Sequence, residues 1–188
     1  TIVSGESKIP EARKRIRKML MKPADAPASK GAVEAILKSD VLIFGPGSLY
    51  TSVIPNLLVE EIREAILQSD AVKIYVCNVM TQPGETDGYG AFEHVRALVD
   101  HMGKQFLDYV IVNDQKITTE QLKQYYAEGS MPVTPDVEKI RKLGITVVPA
   151  SLISKDDLVR HEPRKLARAL IMLIYRLRLF GKGVQFFD

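Results

Sequence analysis

Three stretches of this chain carry residue types whose spacing could do chemistry. The first, Gly45–Ser52, reads GPGSLYTS: two glycines around a proline, then Ser48, Thr51 and Ser52 within about a turn. Gly45 and Gly47 let the backbone come close to a ligand, and Pro46 stiffens the turn between them. A helix beginning near Ser48 would offer unpaired amide hydrogens and the positive end of a dipole. Small backbone, free amides and hydroxyls suit a phosphate. The alternative is that Ser48 only caps the helix. No Gly-Lys-Ser/Thr ending follows, so this is not a Walker A loop.

The second stretch, NVMTQPGETDGYG, holds Asn78, Thr81, Gln82, Glu85, Thr86 and Asp87 among glycines and a proline. Polar side chains on a loop held by rigid elements commonly bind ligands. A solvated loop whose Thr86 or Asp87 caps the next helix is the competing reading. The third is LVRHEPRKLA. Here Arg160 and His161 precede a helix that Pro163 can start, and a forked guanidinium there could clamp a diphosphate. A surface pair of Arg160 with Glu162 explains the same residues without a ligand.

The elements that must position these loops alternate along the chain. VLIFG, AVKIYVCNV, DYVIVN and ITVVPA read as buried strands, near Val41–Phe44, Lys73–Cys77, Tyr109–Val112 and Thr146–Val148. Helical spacing appears in KGAVEAILKSD, in VEEIREAILQSD, and in AFEHVRALVDHM, where Ala91, Val95, Leu98, Val99 and Met102 form one stripe. Further helices are expected from Thr118 to about Tyr126, just before Gly144, and from Pro163 to about Phe180. Pro55 must end or kink the helix that leaves the first loop. Two more strands are expected in the opening TIVSGESKIP and in KRIRKMLM. The whole reads as α/β: a doubly wound, mostly parallel, Rossmann-like sheet with helices on both faces. In such a sheet ligands bind beyond the carboxyl ends of the strands, where the first two loops lie.

Composition narrows the classes. The 188 residues are 46% hydrophobic and 26% charged, the balance of a folded globular chain. The net charge of +3 does not argue for nucleic acid, and the one basic run, Arg13–Lys18, lacks interleaved aromatics and reads as the solvated face of an edge strand. The apolar run Ala169–Ile174 is far too short to span a bilayer, and no signal peptide opens the chain. A single cysteine, Cys77, excludes an internal disulfide framework, fits a reducing cytoplasm and reads as a small buried hydrophobe. His94 and His101 share a helix flank with no third ligand spaced to join them in a metal site. Tyr50 and Tyr89 could stack on a base or pack against the sheet. The first residue is not methionine, and the chain opens in strand-like sequence. We read it as part of a longer protein whose N-terminal portion is absent.

GPGSLYTSVIPNLLV together with YVCNVMTQPGETDGY resembles the bacterial gluconeogenesis factor family, which is related to 2-phospho-L-lactate transferase. The likeness continues through DYVIVN and LVRHEPRKLA, so it covers nearly the whole chain. It implies a Rossmann-like sheet, a cytoplasmic location, and roles in gluconeogenic growth, cell-wall precursor supply and cell shape. It also implies a nucleotide-sugar ligand of the UDP-N-acetylglucosamine type. Family members begin with a glycine-rich GGGTG-type loop that this chain lacks, so its nucleotide site is expected to be incomplete.

The expectations follow. Residues 1–188 are expected to form the C-terminal portion of a single Rossmann-like nucleotide-sugar-binding domain with a regulatory role, and the sequence leaves open whether it also catalyses a reaction. Phosphate and sugar are expected on Gly45, Gly47, Ser48, Thr51, Ser52, Asn78, Thr81, Gln82, Thr86, Asp87, Arg160 and His161. No cofactor is required beyond the UDP-sugar ligand; no nucleic acid or membrane partner is expected, and a homo-oligomer is left open. The alternative is a transferase moving a phosphorylated three-carbon acid from a nucleotide carrier to an acceptor alcohol, with Asp87 holding Mg²⁺ or orienting the acceptor.

Overall fold

The computed structural model describes residues 1–154 and 159–180. Four strands, β1 (Val41–Phe44), β2 (Val72–Val76), β3 (Tyr109–Asn113) and β4 (Thr146–Ala150), form one sheet in the order β1-β2-β3-β4. Every pairing is parallel, with Val41 beside Val72, Ile74 beside Tyr109 and Tyr109 beside Thr146. Shared direction puts all four carboxyl ends at one edge, the edge from which both polar loops leave.

Strand periodicity sends alternate side chains to opposite faces. Along β2 and β3, Tyr75, Cys77, Val110 and Val112 join one core with Leu57, Ile66, Leu98 and Ile140. Val72, Ile74, Val76, Tyr109 and Ile111 join the other with Leu166 and Leu173. The first face is covered by α3 (Ile54–Leu57), α4 (Glu60–Gln68), α5 (Ala91–Met102) and α7 (Val137–Arg141); the second by α8 (Pro163–Phe180). Apolar side chains on both faces explain why these strands read as continuous hydrophobic runs. The remaining helices are α1 (Lys8–Glu11), α2 (Ala32–Lys38) and α6 (Thr119–Ala127). The expected stripe on α5 is buried at Ala91, Val95, Leu98 and Met102, with Val99 half-buried.

Two expectations are corrected. No strand forms in the first forty residues: α1 lies where the opening strand was expected, and Lys14–Met21 runs without regular structure. A strand needs a partner for its backbone, and β1 pairs with β2 alone. The basic segment is held instead by side chains, with Ile16 and Met19 packed on the first core. The helix expected from Ser48 is also not one α-helix. Leu49–Val53 is a wider turn, and α3 begins beside Pro55, which has no N–H to extend the ladder from before it.

Candidate functional site

The loop after β1 turns at Gly45, whose φ of +86° suits only glycine without strain. A Cβ there would also stand 3.1 Å from the Val76 carbonyl, so the loop lies directly on the exit of β2. Gly47 makes the second close approach, where a Cβ would meet that of Ser52 at 3.3 Å.

The second loop is tied to the first by side chains. Gln82 Nε2 donates to Ser48 Oγ at 2.7 Å, and Asn78 Nδ2 donates to the Gly47 carbonyl at 3.1 Å. Thr51 Oγ1 donates to the Glu85 carboxylate at 3.2 Å. Ser48 makes no side-chain capping bond. Its hydroxyl accepts from Gln82 and keeps its own hydrogen for a further acceptor, while the Gln82 Oε1 is buried with no partner among the described residues. Ser52 is exposed beside it, its carbonyl accepting from Asn56 at 2.7 Å.

Glu85 modifies the phosphate picture. Besides Thr51, its carboxylate takes a hydrogen bond from the Tyr50 backbone amide. The protein's own anion therefore sits on donors expected for a phosphate at this turn. Burial raises the Glu85 carboxyl above its ordinary range, against the lowering effect of Thr51 and Tyr50.

Other expected donors hold the loop itself. Thr81 is 3% exposed; its hydroxyl accepts from the Met131 amide, and its carbonyl accepts from Ser130. Thr86 is 1% exposed, and its hydroxyl accepts from the Gln82 amide at 2.8 Å. These two side chains are buried and brace the loop. Asp87 is exposed at the loop's far end, one oxygen accepting from the Gly84 amide at 2.7 Å.

The third segment follows β4. Ile153 and His161 form an antiparallel bridge, and the His161 Nε2–H donates to the Cys77 carbonyl at 3.1 Å, one residue before Asn78. His161 thus reaches the exit of β2, and burial lowers its pKa. Arg160 is exposed next to it. Glu162 does not turn to Arg160: its oxygens accept from the Arg164 and Lys165 amides at 3.1 and 2.7 Å, capping α8.

Weaker candidates resolve structurally. Burial pushes the Cys77 thiol up to about 12, which removes it as a nucleophile. Tyr50 and Tyr89 bond to each other through their hydroxyls at 2.8 Å, and Tyr50 is buried. His94 donates from Nδ1 to the Gly90 carbonyl, while His101 Nε2 accepts from the Met19 amide at 2.9 Å. No group of three His, Cys, Asp or Glu poised for a metal ion occurs among the described residues.

Sequence reasoning missed a cleft of about 390 Å³ on the outer side of the second loop, where Arg13, Lys14 and Arg15 line one space with Glu85, Asp87 and Glu93. Of the expected residues, Asp87 alone lines it. The basic run was the available signal, but only packing brings it to the loop.

An all-parallel sheet with helices on both faces and two interlocked polar loops at its carboxyl edge defines a Rossmann-like α/β fold. A family profile described as 2-phospho-L-lactate transferase CofD matches residues 1–153, and the chain belongs to that family. It is 45% identical over 172 residues to the gluconeogenesis factor of Halalkalibacterium halodurans, covering 91% of this chain and 53% of that protein. It is 42% identical over 174 residues to the gluconeogenesis factor of Bacillus subtilis, covering 92% and 55%. A crystal structure of a upf0052 family member from Bacillus halodurans matches with a TM-score of 0.88 at 44% identity, over 91% of this chain and 55% of the other. The chain spans about half the length of the curated relatives it matches. Among the described residues, no helix is long and apolar enough to cross a membrane.

Proposed function

We propose that this chain belongs to a cytoplasmic regulatory protein that binds a nucleotide sugar of the UDP-N-acetylglucosamine type. Through that ligand it links growth on gluconeogenic carbon to cell-wall precursor supply and cell shape. The observation that carries the reading is the pair of bonds from Gln82 to Ser48 and from Asn78 to Gly47. They hold two polar loops as one surface at the carboxyl edge of a parallel sheet, where nucleotides bind in folds of this class. In this reading Gly45, Gly47 and the free hydrogen of Ser48 face phosphate, Asn78 and Gln82 face ribose or sugar, and Arg160 and His161 close the side next to β2. The kinship with gluconeogenesis factors supports the link to carbon metabolism.

Titration calorimetry with UDP-N-acetylglucosamine tests the reading. Saturable binding to the protein, lost on Ser48→Ala together with Asn78→Ala, is the expected result. Heats no different from dilution would overturn it.

The family match supports a second reading, transfer of a phosphorylated three-carbon acid from a nucleotide carrier to an acceptor alcohol. There the same loops would orient the diphosphate, and Asp87 would orient the acceptor hydroxyl. Formation of a phosphodiester product from such a carrier, abolished by Asp87→Asn, distinguishes it from binding alone.

A further inference from the structure

The cleft beside the second loop has a charge arrangement that its own residues do not resolve. Arg13, Lys14 and Arg15 line it, all exposed, and among the described residues none is within ion-pair distance of a carboxylate. Lys14 makes one long hydrogen bond, 3.4 Å to the Thr1 hydroxyl. Glu85, Asp87 and Glu93 line the same space. Glu85 accepts from Thr51 at 3.2 Å, while Asp87 and Glu93 each have one oxygen fixed, by the Gly84 and Gly90 amides at 2.7 and 2.9 Å, and it is these two that have an oxygen to spare. The other oxygen of each has no hydrogen-bond partner among the described residues. Cations and acceptors thus share one cleft without satisfying each other.

The backbone that carries the cations is held on both sides. Before it, the Pro10 backbone lies over Gly84 so closely that a Cβ there would stand 2.0 Å from the Pro10 carbonyl oxygen. After it, Ile16 and Met19 pack on the core and the Met19 amide bonds to His101. Arg13 itself has a φ of +44°, a conformation that a bulky side chain seldom adopts and that turns the run toward the cleft between these two anchors. A backbone already held in place loses less entropy when an anion arrives. Glu85, which also lines the cleft, is engaged with the Tyr50 backbone and the Thr51 hydroxyl and lies outside ion-pair distance of the basic run, so the run keeps its positive charge for an anion.

We propose that Arg13, Lys14 and Arg15 form the anion-holding wall of the cleft, with Asp87 and Glu93 accepting hydroxyl hydrogens opposite. The ligand class selected is a phosphorylated polyhydroxy compound: phosphate on the cations, sugar hydroxyls on the carboxylates. A volume of about 390 Å³ accommodates a molecule of that size. The cleft is distinct from the surface built by Gly45, Gly47, Ser48, Asn78 and Gln82, and the proposal rests on the nucleotide-sugar reading for the choice of a sugar as the hydroxyl-bearing part.

The test uses the full chain, with N-acetylglucosamine 1-phosphate, UDP-N-acetylglucosamine and inorganic phosphate as probes. The variant pair Arg13→Gln/Arg15→Gln is compared with Arg17→Gln/Lys18→Gln, which removes the same charge from the same run outside the cleft. The first pair is expected to weaken the sugar phosphate by about tenfold or more and flatten its salt dependence, the second by less than about twofold. Asp87→Asn/Glu93→Gln is expected to weaken the sugar phosphate but not inorganic phosphate. Unchanged melting temperatures show that the exposed substitutions leave the fold intact. Equal effects of the two basic pairs, or none from either, overturn the proposal. A protein that binds UDP-N-acetylglucosamine but ignores the cleft variants refutes this wall alone. Cleft-dependent binding of the sugar phosphate without binding of the UDP-sugar refutes the nucleotide reading alone. Binding of no probe refutes both.

Discussion

Gln82 and Ser48 stand 34 positions apart in sequence, yet the Gln82 amide donates to the Ser48 hydroxyl at 2.7 Å. The bond crosses from the exit of β2 to the exit of β1. It makes each loop a support for the other and leaves the Ser48 hydrogen as the group free to point outward. Because Ser48 caps no helix, its hydroxyl has two separable jobs: accepting from Gln82 and donating to a ligand.

Two substitutions separate those jobs. Ser48→Ala removes both and is expected to cost about 1.5–3 kcal/mol in UDP-sugar affinity, the range for hydrogen bonds to charged groups, and about 1 kcal/mol in stability. Gln82→Ala removes the loop tie together with the ribose or sugar contact proposed for Gln82, so it should match the stability loss and cost less affinity than Ser48→Ala, which loses the phosphate contact. Calorimetry and chemical denaturation on both variants make the comparison. If Ser48→Ala binds as tightly as the parent, its hydroxyl is a loop staple and nothing more.

Glu85 gives a pH signature. Its folded-state carboxyl is raised, so the unfolded chain loses its proton first as pH climbs through the ordinary carboxyl range. Stability should therefore fall, relative to Glu85→Gln, from the unfolded value upward to the raised folded one, and level off beyond it. Unfolding free energies of the two proteins across mildly acidic pH supply the measurement. A constant difference would mean that Glu85 ionises as freely in the fold as outside it.

The sheet was legible because its strands are short apolar runs bounded by turn residues. β2 and β3 carry buried apolar side chains on both faces, whereas β1, at the sheet edge, keeps the apolar run but leaves Ile43 exposed. The same cue misled at Lys14–Met21, where alternating residues resemble a strand but find no neighbouring backbone to pair with. Thr81 and Thr86 were chosen as ligand donors by residue type. Only tertiary packing shows their hydroxyls turned inward, to the Met131 and Gln82 amides. Glu85 and the Arg13–Arg15 wall were hidden for a related reason. Their meaning depends on contacts with Tyr50, Thr51 and the far side of the loop, which local spacing does not encode.

His161 predicts the opposite slope. Burial lowers its pKa, so the unfolded chain takes up a proton first as pH falls through the ordinary histidine range. The stability it confers is full above that range and is lost as pH drops toward its lowered folded value. Buried His94, also lowered, acts in the same direction. His161→Gln should flatten part of the acid limb of a stability–pH curve, and His94→Gln another part. An unchanged limb in His161→Gln would show that the imidazole is solvated rather than held against Cys77.

Gly84 carries the last prediction. Its φ of +81° alone makes alanine unfavourable by about 1 kcal/mol or more. A Cβ would in addition stand 2.0 Å from the Pro10 carbonyl oxygen, a backbone atom that cannot swing aside as a flexible side chain would. Gly84→Ala must therefore push residues near Pro10 off the loop and loosen one anchor of the basic run, while Met19 remains tied to His101. The expected outcome is lower stability together with faster trypsin cleavage between Arg13 and Lys18 under native conditions. Gly103→Ala is the matched control: its φ is +79°, with nothing within 4 Å of an added Cβ. It should show the backbone cost without the faster cleavage. Equal cleavage in the two variants would mean that Pro10 does not rest on Gly84 in solution, and the basic run would then have only its Met19 anchor.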